Sequence, residues 1–228
     1  MPPSLDQTVA SEARAASDAV PEIWSVRLSL LGAILAVPGF ALLLTPAISA
    51  KSPAHIVSFI LYGVGTFSMF LSSAAFHAKA GQERTFLKNL DYSAIGLKIA
   101  GAFTPYCAIA LRTDFGYWIL SAVWAVALFC AWLRLAKPEL SKWTFIIAYL
   151  TMGWMGLLVA YPLYSSVGTD GSLLTLLGGA FYTFGTLVFN RNEDDVEAPG
   201  FGPHDVWHLF ILAGAATHWY VVWRYMLP

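Results

Sequence analysis

Along this chain the apolar residues gather into seven long runs, and most of the charged residues and many of the prolines and glycines fall in the gaps. The runs cover 25–49, 54–76, 91–111, 116–135, 142–164, 171–190 and 204–227. Each has about the 20 residues that a helix needs to cross a hydrocarbon layer. No water is available there to satisfy backbone groups, so each run is predicted to be an α-helix. The connections are short and polar, as in "TPAISAKSP", "HAKAGQERTFLKN", "RLAKPELSK" and "NRNEDDVEAPGFGP". The expected fold is all-α: a polytopic membrane protein, one seven-helix transmembrane bundle over 22–228, with no internal repeat and no second domain. Residues 1–21 are small, polar and of mixed charge, without the basic start and apolar centre of a signal peptide. They are expected to be a flexible cytoplasmic tail, with room for a short helix over 10–19.

Composition supports the membrane assignment. Hydrophobic residues make up 57% of the chain and charged residues 12%, with a mean hydropathy of +0.62; a soluble domain carries about a quarter charged residues. A net charge of −1 offers nothing to a polyanion, so a nucleic-acid partner is not expected. The two cysteines, Cys107 and Cys130, each lie inside an apolar run, which argues against a disulfide framework and against a thiolate metal site.

Orientation follows from where Lys and Arg fall in short loops. With the N-terminus in the cytoplasm, Arg14, Arg27, Lys79, Arg84, Lys88, Arg134, Lys137, Lys142 and Arg191 lie inside, and Lys51, Arg112 and Arg224 lie outside. The acidic cluster Glu193, Asp194, Asp195 and Glu197 also falls inside but weighs little in this rule. The C-terminus is therefore expected outside.

That topology brings distant polar residues to one leaflet. The second helix ends at "SSAAFH" with Ser73 and His77, the third begins at "LDYS" with Asp91, and the seventh begins with His204 and His208. Residues four apart share a helix face, about 6 Å apart along the axis. Three imidazoles and a carboxylate at one depth match the needs of a zinc site with an open fourth position. Taken alone, His204 and His208 are either interfacial residues or ligands; His77 at the same depth favours ligands. Asp91 reads as a helix N-cap, as a base beside the metal, or as both. Ser73 either donates a hydrogen bond to the site or packs helices. His218 lies about 15 Å further along its helix than His208, too far to share an ion, and reads as a hydrogen-bonded packing residue. His55 reads as an interface residue. Lys98 either lines a polar cavity or bends back to the interface, because a charge at the midplane costs at least about 2.5–3.5 kcal/mol.

Together, "SSAAFH", "LDYSAIGLKIAGAFTP", "GGAFYTFGTLVF" and "HDVWHLFILAGAATHW" resemble the hemolysin III family. That family is part of the progestin and adipoQ receptor superfamily, which includes the adiponectin receptors and is distantly related to the alkaline ceramidases. The resemblance implies a zinc cofactor held by His77, His204 and His208, with Asp91 holding a metal-bound water and Ser73 beside it. It also implies a lipid partner within the bundle and a bacterial cytoplasmic membrane. Hydrolysis of a lipid amide or ester is the expected activity; the alternative is a non-enzymatic receptor, stress regulator or lytic protein with a structural zinc. Three departures stand out. The first helix opens "EIWSVRLSLLG" rather than with the usual Asn and T-H pair, Lys98 replaces an apolar residue, and the sixth helix ends "FNRN".

Overall fold

The computed structural model describes residues 22–79, 83–191 and 201–228. The 1–21 segment, with the short helix considered there, and the acidic cluster at 193–197 lie outside the described residues. Among the described residues seven α-helices follow one another: α1 Ile23–Ser49, α2 Pro53–His77, α3 Glu83–Pro105, α4 Asp114–Ala136, α5 Lys142–Trp154, α6 Gly156–Arg191 and α7 Pro203–Tyr225. A π-helical stretch, Tyr106–Leu111, continues α3. Among the described residues there is no strand. Five stretches are long and apolar enough to cross a membrane, and the last of them, Lys142–Phe189, contains two legs. The protein is an all-α integral membrane protein.

The two legs of that stretch are divided within the 165–170 gap between the predicted runs, and the first leg carries a break that hydropathy does not mark. The chain pauses at Met155 between α5 and α6, and α6 then turns at Gly168, which has φ 68° and ψ −172°. That conformation is open essentially to glycine alone. The turn reverses the chain. Ser166, just before it, donates to the Ala110 carbonyl at the far end of α3. Phe189, near the end of α6, returns to within 5.9 Å of the Lys142 ammonium where the leg began. Residues 142–167 thus make one crossing and 169–191 the next.

Two further boundaries differ from expectation. Helix α3 begins at Glu83, so Asp91 is two turns inside it and is not an N-cap. The polar run "ERTFLKNL" is helical despite lacking the apolar pattern of a membrane crossing. At the other end Pro105 has no N–H to give, and the hydrogen-bond ladder slips into the π register of Tyr106–Leu111 before Arg112 closes it with φ 49°. Thr113 caps α4 by accepting from the Gly116 N–H at 3.1 Å.

Helix α3 is central: 56% of its apolar window is buried, against 22% for α1. The bundle exterior is apolar, with Ile34, Phe86, Trp118 and Tyr161 among the most exposed side chains. Polar groups lie inside, as a lipid solvent requires. A small cluster of Ala33, Met69, Phe70, Ala94 and Ala215 joins α1, α2, α3 and α7 beneath the polar site.

Candidate metal centre

His77 is the last residue of α2, and His204 and His208 occupy the first turns of α7. The structure brings all three together, with one nitrogen from each ring within 4.8 Å of the others. His77 is 2% and His208 6% exposed. His77 Nε2 and His204 Nε2 are 3.4 Å apart. That is longer than a normal hydrogen bond, yet it is the separation of two nitrogens on one tetrahedral ion, about 3.3–3.4 Å for bonds of 2.0–2.1 Å. His208 Nε2 is buried without a hydrogen-bond partner. Three converging imidazoles, one with an unused buried nitrogen, could hold a metal ion.

Residues that hydropathy reading passed over orient the rings. Glu22, the cap residue of α1, places Oε2 at 2.7 Å from His77 Nδ1 and 3.9 Å from His204 Nε2. Arg84 binds the other Glu22 oxygen at 2.5 Å. Burial alone would raise the Glu22 carboxyl, but His77, His204 and Arg84 overcome that effect and hold it at about 2. The backbone is tied as well, since the Glu22 N–H donates to the His77 carbonyl at 3.2 Å.

Two serines on one face of α1 complete this wall. Ser29 donates to the Ser73 oxygen at 3.1 Å and stands 3.4 Å from His208 Nδ1. Ser25 donates to Asp205 at 2.7 Å, and the other Asp205 oxygen accepts from the Gly202 N–H at 2.8 Å, capping α7. The i, i+4 spacing of Ser25 and Ser29 in an otherwise apolar leg was the available signal. Although α1 lacks the expected Asn and T-H pair, it reaches the site through Glu22, Ser25 and Ser29.

Ser73 therefore meets the site through Ser29. Asp91 is half-buried, with Ser72 in hydrogen-bonding reach and His77 close enough to feel its charge. It does not belong to the set of ligand atoms within 4.8 Å. His218 and Lys98 lie apart from this centre. His55, in the first turn of α2, is 8% exposed, with Ser52 Oγ 2.7 Å from its Nδ1.

Comparison with known proteins extends the picture from the site to the chain. The haemolysin-III related family matches residues 19–219. The chain belongs to the haemolysin III family. Hemolysin-3 of Bacillus cereus is 32% identical over 200 residues, covering 87% of this chain and 88% of that protein. The Hemolysin-3 homolog of Bacillus subtilis (strain 168) is 31% identical over 198 residues, covering 86% and 89%. More distantly, the Monocyte to macrophage differentiation factor of Homo sapiens is 26% identical over 209 residues, covering 82% and 81%. Glu22, Ser29, Ser73, His77, Asp91, His204 and His208 all fall within the matched residues.

Proposed function

We propose that this haemolysin III family member is a zinc-dependent hydrolase of a lipid amide or ester bond, with zinc held by His77, His204 and His208. The supporting observation is the 3.4 Å separation of the His77 and His204 Nε2 atoms beside an unpartnered His208 Nε2. Nitrogen-only ligation with an open position suits zinc in a catalytic role. When bound, zinc would polarise the scissile carbonyl and supply a nucleophile at neutral pH.

The remaining work falls to the side chains. Glu22 and Arg84 fix the His77 ring, and Ser29 and Ser73 fix that of His208, as outer partners of metal-ligating histidines do. Asp91, held by Ser72 beside His77, takes the proton from the attacking water and passes it to the leaving group. The packed apolar cluster of Met69, Phe70 and Ala94 beneath the site excludes bulk water. Lys and Arg distribution supports an inner-leaflet position for this end of the bundle, with the C-terminus outside, and the Bacillus relatives support a bacterial cytoplasmic membrane.

Purified protein is expected to carry about one zinc per chain by elemental mass spectrometry, and His208→Ala to lose it. Wild type should release fatty acid from a lipid amide, with Asp91→Ala slower by about 10²–10⁴-fold. Zinc-loaded protein that turns over no lipid amide or ester, with Asp91→Ala indistinguishable from it, would refute the hydrolase. Glu22 favours a second reading. Its carboxylate already reaches toward His204 as well as His77, and a fourth protein donor would make the zinc structural in a receptor, stress regulator or lytic protein.

A further inference from the structure

A second polar cluster lies deeper in the bundle, where the metal centre does not use it. Lys98 of α3 is 4% exposed; its ammonium donates to the Tyr182 hydroxyl and sits 4.0 Å from that ring's centroid. The His218 ring packs between Tyr182, at 5.8 Å, and Tyr106, at 6.0 Å. Its place against α6 exists because residue 178 is glycine: a Cβ there would meet His218 Cδ2 at 2.0 Å. Tyr106 belongs to the π-helical stretch, a local irregularity frequent at functional sites.

The hydrogen-bond inventory of this cluster does not close. Tyr106 is 4% exposed, and its hydroxyl has no partner; neither does either ring nitrogen of His218. Thr175 adjoins both groups, its side chain beside Tyr106 and its backbone beside His218, but at hydrogen-bond geometry with neither. Among the described residues no carboxylate pairs with Lys98. The group therefore holds an ammonium with two further N–H bonds to offer, tyrosine hydroxyls and an imidazole N–H, with too few acceptors. Unmet buried donors are costly, and a lone buried cation is more so. One kind of ligand would meet all of them at once: a compact anion with several acceptor oxygens. The site sits inside an apolar bundle, about 15 Å along α7 from His208, so the anion must arrive on a hydrocarbon carrier.

We propose that Lys98, Tyr106, Tyr182 and His218 form a binding site for the carboxylate of a long-chain amphiphile, separate from the histidine triad. The test uses full-length protein in nanodiscs of zwitterionic phospholipid, titrated with a fluorescent polyene fatty acid and with the corresponding alcohol, which a hydrolase cannot cleave. Wild type should bind the acid at least about tenfold more tightly than the alcohol, the scale of one charge-assisted hydrogen bond. Lys98→Met should abolish that preference while retaining or raising thermal stability, because an unpaired buried charge is removed. Tyr106→Phe, which deletes one hydroxyl, should weaken acid binding by about threefold or more. His208→Ala should keep the preference. Equal binding of acid and alcohol by wild type, or a preference that survives Lys98→Met, overturns the proposal. So does a preference lost in His208→Ala, which places the carboxylate at the triad, or displacement of the acid by millimolar acetate, which makes the ligand a water-borne carboxylate.

Discussion

His77 presents two nitrogens to two different tasks: Nε2 faces His204 across 3.4 Å, while Nδ1 faces Glu22 across 2.7 Å. A carboxylate behind a ligating imidazole fixes its orientation and raises its basicity. Glu22→Gln is therefore expected to weaken metal binding by about 10–100-fold, read by competition with a chromophoric chelator, with helicity unchanged. Asp205 has a different duty, joining the α1 serine to the α7 cap. Asp205→Ala should cost about 1–3 kcal/mol, seen as a lower thermal midpoint, because it orphans both Ser25 and the Gly202 N–H. The three histidines were legible in the chain because i, i+4 spacing and loop charge place them at one depth. Glu22 was not. It is a single acid at the mouth of an apolar leg, and only the packing of α1 against α2 and α7 decides what it touches.

At the scale of elements, two glycines separate backbone need from space. An added Cβ meets nothing within 4 Å at either Gly153 or Gly168. Gly153 is helical, whereas Gly168 has φ 68°. Gly153→Ala is expected to leave stability unchanged or raise it by about 0.5–1 kcal/mol. Gly168→Ala should lower it by about 1–3 kcal/mol, and paired unfolding curves in one detergent would show the contrast. The helices themselves were legible because lipid leaves the backbone few choices. Their ends were less so. Helix α3 starts early because "ERTFLKNL" needs no apolar face outside the hydrocarbon, and a search for apolar runs misses such a turn. The π stretch after Pro105 leaves no mark in hydropathy at all.

At the scale of the molecule, the open question is which face looks where. The native cysteines are 0% and 6% exposed, so they leave little background for thiol labelling. Asp114→Cys and Lys137→Cys mark opposite ends of α4. In intact cells an impermeant maleimide should label the first and reach the second only after permeabilisation; the reverse pattern would invert the assigned orientation and move the metal centre to the outer face.

Two of the three histidines sit on α7, a helix that falls short of the apolarity of the five crossing stretches. Such a segment inserts poorly alone and depends on helices already in place to receive its polar face. During synthesis, then, the triad comes into existence only after α1 to α6 have been made, and a product truncated before α7 would hold one histidine of the three.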